Sequence, residues 1–155
     1  VNAFKEKNKD NVLLYTSDLA HYVADGHQPL HATVNYNGQL TSQKGIHSRY
    51  EIDMVDKYLN VIEYSFEENM PYYINYVKDY IFDYIVEAND YVEMILSADN
   101  YASGKTSGKF DKEYYRLLWF KTKYVTISEI NSAALCLSSL IYTAWVDAGK
   151  PVMEN

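Results

Sequence analysis

Residues 19–32, LAHYVADGHQPLHA, set the fold of this chain. His21 and Asp25 are four residues apart, and this spacing places both side chains on one face of a helix. Gly26 and Pro29 are residues that end helices, so the pattern predicts a helix followed by a sharp turn. Since the chain turns here, the residues that follow can return toward the first helix.

The second polar group begins on the far side of this turn. His31 follows the turn directly, and residues 45–51, GIHSRYE, place His47 and Glu51 four apart again. All four histidines of the chain fall within the 27 residues that end at His47. Pro29 fixes the backbone so that His31 is expected to point back at the helices. We therefore predict that imidazoles and carboxylates from two helices converge on one pocket.

Outward from these residues, apolar side chains recur at helical spacing over most of the chain. The predicted elements are helices over 11–24 and 46–60, a polar loop over 33–45, an amphipathic pattern over 73–95, a loop over 101–111 and a last helix over 111–148. β-Branched residues at 122–126 favour an interruption of that last helix. The prediction is an all-α helical bundle, with residues 1–155 forming one domain.

Two further expectations concern which residues are buried. In the second helix we expect five side chains to face inward, namely Ile52, Val55, Tyr58, Leu59 and Ile62. Cys136 stands alone in the apolar segment AALCLSSL, and we expect a small core residue there rather than a nucleophile. The 17 tyrosines suit half-buried helix faces, because each ring brings apolar area together with a hydroxyl.

The composition argues against several classes of function. A net charge of −7 argues against broad electrostatic binding of nucleic acid, although a bound metal could still attract a phosphate. No run of eighteen apolar residues occurs, so no transmembrane segment is expected. No charged start followed by an apolar run marks a signal peptide in the chain as given.

The converging residues have the chemistry of a zinc site. His31, His47 and Glu51 supply two imidazole nitrogens and a carboxylate, which catalytic zinc sites bind at ~2.0–2.2 Å while keeping one position open for water. His21 and Asp25 extend the predicted set of metal ligands to five. Either helical pair alone is a weak signal of a metal site, and the five residues together are a strong one.

Asp18 and His27 lie beside this set. Asp18 is one turn before His21, where it either accepts the second N–H of the His21 ring and orients it, or is a plain exposed aspartate. His27 is two residues after Asp25 and lies off the helix face, so we expect it to support a ligand from outside the set or to lie at the surface.

LAHYVADGHQPLHA followed by GIHSRYE resembles the zinc-dependent phospholipase C and single-strand-specific zinc nuclease superfamily. Its members carry a His, three residues, an Asp, then a QPLH or QPMH turn, and later a His with an acid four residues on. The segment YTAWVDAGKP (142–151) is similar to the end of the C-terminal helix in bacterial members. The resemblance covers roughly residues 13–51 and that segment, and it implies an all-α bundle of the same type.

The resemblance implies hydrolysis of phosphoric diesters, with a phospholipid or single-stranded nucleic acid as substrate. The family binds up to three zinc ions, and the group that attacks phosphorus is a metal-held water rather than a side chain. His21 and Asp25 would bind two paired metals, with Asp25 bridging them, and His31, His47 and Glu51 would bind the third. Glu51 is a glutamate as in the phospholipases, whereas the nucleases more often have Asp there. Many relatives act outside the cytoplasm, so a secreted or periplasmic location is expected.

The chain departs from the family before His21. Members begin with a residue, often Trp, whose amino group and carbonyl bind metal, and they supply further His and Asp ligands before this stretch. Here Val1 is first and no histidine precedes His21. We therefore expect the C-terminal part of a larger zinc hydrolase domain, lacking the N-terminal helices and binding at least one zinc. The alternatives are a non-catalytic or truncated helical zinc-binding module, and a helical protein with chance similarity.

Overall fold

A computed structural model describes residues 1–153, and this range is all-α with no β-strand. The predicted all-α class is confirmed for these residues. Five of the helices have nine residues or more. In chain order the elements are α1 (Asn2–Lys5), α2 (Lys9–Gly26), a 3₁₀ turn (Pro29–Ala32), α3 (Ile46–Ser48), a π-helical turn (Arg49–Met54), α4 (Val55–Glu63), α5 (Val77–Asn89), α6 (Val92–Lys105) and α7 (Lys112–Asp147).

Helix α2 carries the first half of the polar motif. It begins after Asn8, whose side-chain oxygen accepts a hydrogen bond from the Asn11 N–H at 3.0 Å and so caps the helix. It ends at Gly26, the predicted stop. A side chain at this position would collide with the ring of Tyr84 on α5, so the glycine also allows α5 to pack closely.

The next helical segment, α3 to α4, contains a π-helical turn that the sequence analysis did not predict. Hydrogen bonds to the fifth residue insert one extra residue into the turn, and this rotates the buried face. Tyr50 and Met54 are therefore buried, whereas Ile52 and Leu59 are 53% and 46% exposed. The expectation that Ile52 and Leu59 face inward was wrong.

The predicted 73–95 pattern is divided between two helices. Helix α5 ends at Asn89 and α6 begins at Val92, because Asn and Asp at 89–90 favour local turns over a helix interior. Helix α6 then runs on to Lys105, so the loop predicted over 101–111 begins later than expected. Burial of Ala102 at the contact between α6 and α7 holds this last turn in place.

Helix α7 is continuous over 36 residues, against the expected interruption at 122–126. The Thr122 hydroxyl donates to the Leu118 carbonyl at 2.9 Å, and the Thr126 hydroxyl donates to the Thr122 carbonyl at 3.1 Å. The helix itself therefore satisfies both buried hydroxyls, and the β-branched residues do not break it.

The segment before α5 has no regular structure and lies against α7. The Asn131 side chain accepts from the Glu67 N–H at 3.0 Å and donates to the Ser65 carbonyl at 3.0 Å. The Thr143 hydroxyl accepts from the Ile74 N–H at 2.9 Å. Polar side chains of α7 thus satisfy backbone groups that no secondary structure pairs.

The core of the described residues contains two clusters of buried side chains. The larger cluster joins the turn and α3 to α6 and α7, and the smaller one joins α2 to α7. Cys136 is fully buried in the smaller cluster, as predicted, and burial raises the pKa of its thiol to about 11.

Helix α7 also bears on the expectation about membranes. By length and composition it is the one helix of residues 1–153 that could cross a membrane, with an 18-residue window of mean hydropathy 1.3. Ser and Thr residues interrupt the apolar run of α7 but lower its mean hydropathy only slightly. A search for eighteen consecutive apolar residues therefore does not find this segment. A core helix passes the same test, so the expected absence of a transmembrane segment stays a prediction.

Candidate metal centre

Three elements bring His31, His47 and Glu51 together. The 3₁₀ turn carries His31, α3 carries His47, and the π-helical turn carries Glu51. The Nε2 atoms of the two histidines are 3.3 Å apart. Glu51 Oε2 lies 3.2 Å from His31 Nε2 and 2.9 Å from His47 Nε2. These are the only three His, Cys, Asp or Glu side chains of residues 1–153 with ligand atoms this close together.

The triangle of atoms has the size of a zinc site. Bonds of ~2.0–2.1 Å in a tetrahedron place neighbouring ligand atoms ~3.3–3.4 Å apart, close to the three observed distances. The side chains of His31, His47 and Glu51 are 26%, 29% and 34% exposed. Solvent therefore reaches the cluster, as an open fourth position requires.

The other ring nitrogens decide which atoms are free to bind an ion. His31 Nδ1 lies 3.3 Å from Asp25 Oδ1, and His47 Nδ1 lies 3.3 Å from the Tyr36 carbonyl oxygen. Both partners only accept hydrogen bonds, as Glu51 does at each Nε2. With the proton on Nδ1, each neutral ring presents a lone pair at Nε2 to an ion. Two lone pairs and a carboxylate oxygen then face one another, which is the donor set that a cation stabilises.

Gln28 of the QPLH turn supports the cluster from below. Its amide nitrogen donates to Glu51 Oε2 at 2.8 Å, and its amide oxygen accepts from the Leu30 N–H at 2.6 Å. Asn89, at the end of α5, donates to the Ala32 carbonyl at 2.8 Å. Gln28 therefore caps the turn that carries His31 and also orients the carboxylate of Glu51.

A buried ion pair fixes the π-helical turn. Arg49, between the two ligands of this segment, donates to Asp99 of α6 from Nη2 at 2.9 Å. The same guanidinium donates to the carbonyls of Gln43 and Lys44 at 3.1 and 3.0 Å. The Tyr114 hydroxyl of α7 donates to the same Asp99 oxygen. The loop before His47, the π-helical turn and α6 thus share one anchor.

The structure separates His21 from the three-residue cluster. His21 Nε2 faces Asp25 Oδ2 at 3.4 Å, and the side chain is 72% exposed. Asp25 therefore contacts both His21 and His31, one with each carboxylate oxygen. Asp18 is exposed and forms no ion pair with His21, so Asp25 is the carboxylate that lies against the imidazoles.

His27 forms no hydrogen bond or ion pair with the three-residue cluster and is 6% exposed, so it is not a surface residue. Its Nδ1 donates to the Val23 carbonyl at 2.9 Å, and its ring stacks on Tyr84 with centroids 4.3 Å apart. Burial lowers the pKa of His27.

A cavity of about 270 Å³ lies beside the cluster, between α2, the π-helical turn and α7. Its walls include Asp25, Glu51 and His27, together with Val55 and Ile130. Glu129 also lines it, and burial, followed by repulsion from Glu87, raises the pKa of that carboxyl to about 7. The cavity therefore joins the edge of the candidate metal site to a half-buried acid.

Two exposed rings flank the cluster. Tyr36 is 53% exposed and meets His47 edge-on at 6.0 Å, and Tyr22 is 70% exposed and meets His21 edge-on at 5.6 Å. Tyr50 is 4% exposed, and its hydroxyl pairs with Thr126 at 3.0 Å. Tyr22 and Tyr36 are open to a ligand, and Tyr50 belongs to the core.

Sequence reasoning missed the supporting residues. Gln28 stands inside the quoted QPLH turn, so the signal was present without a role assigned to it. Arg49 lies between two predicted ligands, where a charged residue on a buried face could have signalled an ion pair. The contribution of Tyr36 comes from its backbone carbonyl, which residue identity does not reveal.

Comparison of the chain with protein-family models, with curated proteins and with solved structures finds no match.

Proposed function

We propose that this chain is a zinc-dependent hydrolase of phosphoric diesters, of the helical phospholipase C and zinc nuclease type. The observation that carries the proposal is the convergence of His31 Nε2, His47 Nε2 and Glu51 Oε2 at 2.9–3.3 Å. The resemblance of residues 13–51 supports the substrate class, a phospholipid or single-stranded nucleic acid. It also makes a secreted or periplasmic location part of the proposal.

The residues present fit a zinc ion. With both Nδ1 atoms donating to acceptors, the cluster offers three acceptor atoms and no proton of its own between them. Without an ion, the two ring lone pairs and the carboxylate oxygen repel one another. Protonation of one ring would relieve this repulsion as a metal ion does, so a salt bridge between Glu51 and an imidazolium competes with the metal. A zinc titration distinguishes the two states, because only a site that binds zinc is stabilised by it.

In the proposed site His31, His47 and Glu51 would hold the ion, whose chemistry would be Lewis-acid polarisation of a phosphoryl oxygen and a lowered pKa of water. The surrounding residues fix the ligands in place. Asp25 and the Tyr36 carbonyl orient the two imidazoles, and Gln28 orients the carboxylate. The partial exposure of all three ligands leaves room for a phosphodiester to approach.

The second candidate is a non-catalytic helical zinc-binding module. The observation that favours it is the size of the ligand set, since residues 1–153 bring together one group of three ligands only. His21 and Asp25 add a pair beside it, fewer than the three ligands that a catalytic zinc usually takes. A single zinc ion at a solvent-facing site could bind without turnover.

One experiment separates these functions. Metal-free protein is titrated with zinc while its melting temperature and its hydrolysis of bis(p-nitrophenyl) phosphate are followed. Zinc at a hundred times its dissociation constant stabilises the native state by about 2.7 kcal/mol. Stabilisation together with turnover supports the hydrolase, and stabilisation alone supports the module. Zinc that changes neither quantity contradicts both.

Two variants refine the result. His31→Ala removes a ligand of the cluster and is expected to abolish the effect of zinc on both quantities. His21→Ala changes an exposed imidazole outside the cluster, and it serves as the matched variant. Turnover that survives His21→Ala assigns the reaction to the three-residue site, and turnover that is lost assigns His21 and Asp25 to a second ion.

A further inference from the structure

The cavity beside the metal centre has a chemical character of its own. Its volume of about 270 Å³ is below the range of pockets for drug-sized ligands, so it suits a small molecule rather than a chain segment. Val55 and Ile130 contribute apolar walls. Within residues 1–153, the cavity is lined by the acidic side chains of Asp25, Glu51 and Glu129 and by no lysine or arginine. An anionic ligand would therefore be repelled.

His27 adds a hydrogen-bond acceptor to this wall. Because its Nδ1 donates to the Val23 carbonyl, the neutral ring leaves Nε2 as an acceptor. Within residues 1–153 no group donates to Nε2, although the residue is 6% exposed. The buried side-chain polar atom without a partner in residues 1–153 is Gln43 Oε1, so His27 Nε2 is open to solvent at the cavity and can accept from a ligand donor in place of water.

Glu129 is the second polar group of the cavity. It forms no ion pair with a cation in residues 1–153, and the nearby charge that acts on it is that of Glu87. Its raised pKa is the consequence, because burial and a like charge both disfavour the carboxylate. A positive charge in the cavity would relieve both effects.

We propose that this cavity binds a small organic cation, a primary ammonium group on an apolar body, with Glu129 and His27 Nε2 as the acceptors for its N–H donors. The apolar walls contact the body of the ligand. A primary ammonium group has three donors, so it can serve both acceptors at once, which a quaternary ammonium cannot. The proposal does not depend on zinc or on hydrolysis.

The test uses metal-free protein at pH 8 and three ligands of similar shape. Calorimetry measures binding of 2-phenylethylammonium, of neutral 2-phenylethanol and of anionic 3-phenylpropionate. We expect the ammonium to bind at least tenfold more tightly than the alcohol, and the anion to bind least. Equal binding of the ammonium and the alcohol would overturn the assignment.

Variants locate the binding site within the chain. Glu129→Gln is expected to weaken ammonium binding tenfold or more, while Glu113→Gln, the same change at an exposed position of α7, leaves it unaltered. Ala133→Leu narrows the cavity and is expected to weaken binding, whereas Ala134→Leu changes the next residue, outside the cavity wall. His31→Ala removes the metal centre and should leave ammonium binding intact. Full binding by Glu129→Gln, or loss in His31→Ala alone, would contradict the proposal.

Discussion

Asp25 contacts the imidazoles of two helical elements with one carboxylate. Its Oδ1 lies 3.3 Å from His31 Nδ1, and its Oδ2 lies 3.4 Å from His21 Nε2. A carboxylate behind a ligand histidine fixes the ring and makes its free nitrogen more basic. In this geometry Asp25 acts on the three-residue cluster through His31, whereas the family resemblance makes it a bridging ligand.

Asp25→Asn tests this role. The amide keeps the shape of the side chain and loses its charge, so we expect the zinc dissociation constant to rise ~10–100-fold with one zinc still bound per chain. Asp18→Asn is the matched control, because the sequence offered Asp18 either as the residue that orients His21 or as a plain exposed aspartate, and the structure leaves it exposed. Calorimetry measures both. An effect of Asp18→Asn as large as that of Asp25→Asn would contradict the assignment.

Glu129 makes stability depend on pH near neutrality. Its folded pKa of about 7 lies above the ordinary carboxyl value, so the folded state binds more protons than the unfolded state between about pH 4.5 and 7. The contribution of this group to stability is therefore present at low pH and falls as the pH rises through 7. Glu129→Gln removes the ionisation and keeps the shape.

We expect Glu129→Gln to be more stable than the wild type above pH 7, by roughly 1–2 kcal/mol after allowing for the partial solvent contact of the carboxyl. Below pH 5 the difference should vanish, because the wild-type carboxyl is then protonated. Urea denaturation at pH 5 and pH 8 provides the measurement, with Glu113→Gln on the same helix as control. A variant that loses stability at pH 8 would show that the carboxylate has a cationic partner.

At the scale of single residues, spacing indicated much of the cluster and little of its support. His31, His47 and Glu51 could be grouped because i,i+4 pairs and a Gly/Pro turn are visible in sequence. The buried position of His27 could not be predicted from the sequence, since it depends on the packing of Tyr84 from α5 against α2. Contacts between elements distant in sequence carry no local signal.

At the scale of elements, the π-helical turn separates His47 from the rest of the second helix. It lets Glu51 face His47 while Tyr50 and Met54 enter the core. A regular helix was the reasonable prediction from period alone, because one inserted residue leaves the apolar pattern only slightly changed. The ion pair of Arg49 with Asp99 holds this irregular turn against α6.

Asp99→Asn tests the anchor. It leaves the guanidinium of Arg49 buried without a counter-charge, so we expect the free energy of unfolding to fall by about 3–5 kcal/mol. We also expect weaker zinc binding, because Glu51 lies on the loosened turn. Arg116→Gln breaks the exposed pair with Glu113 and serves as control, with little change expected in either quantity. Urea denaturation and a zinc titration measure the two effects; an Asp99→Asn protein as stable as Arg116→Gln would contradict the account.

At the scale of the whole molecule, α7 is the element against which α2, α6 and the π-helical turn pack. Helices α2 and α6 lie along it, and the irregular segment before α5 is hydrogen-bonded to it. The all-α class followed from helical periodicity over most of the chain. The bounds of α7 agree with the predicted 111–148, but its continuity through 122–126 and the extension of α6 to Lys105 did not follow from periodicity. Satisfaction of the threonine hydroxyls arises from the helix itself, and burial of Ala102 arises from tertiary packing.

The net charge of the molecule bears on how a phosphodiester could be bound. A net charge of −7 argues against attraction of a phosphodiester by the chain as a whole, and a bound cation would supply the local positive charge. The candidate metal centre is therefore the feature on which the proposed activity rests.

Anomalous diffraction at the zinc edge, from crystals grown with zinc, tests this centre most directly. The account predicts an anomalous peak within bonding distance, ~2.0–2.2 Å, of His31 Nε2, His47 Nε2 and a Glu51 carboxylate oxygen. An added peak at His21 and Asp25 would extend the site toward the multi-zinc arrangement. Crystals that contain zinc but show no peak among His31, His47 and Glu51 would contradict the account.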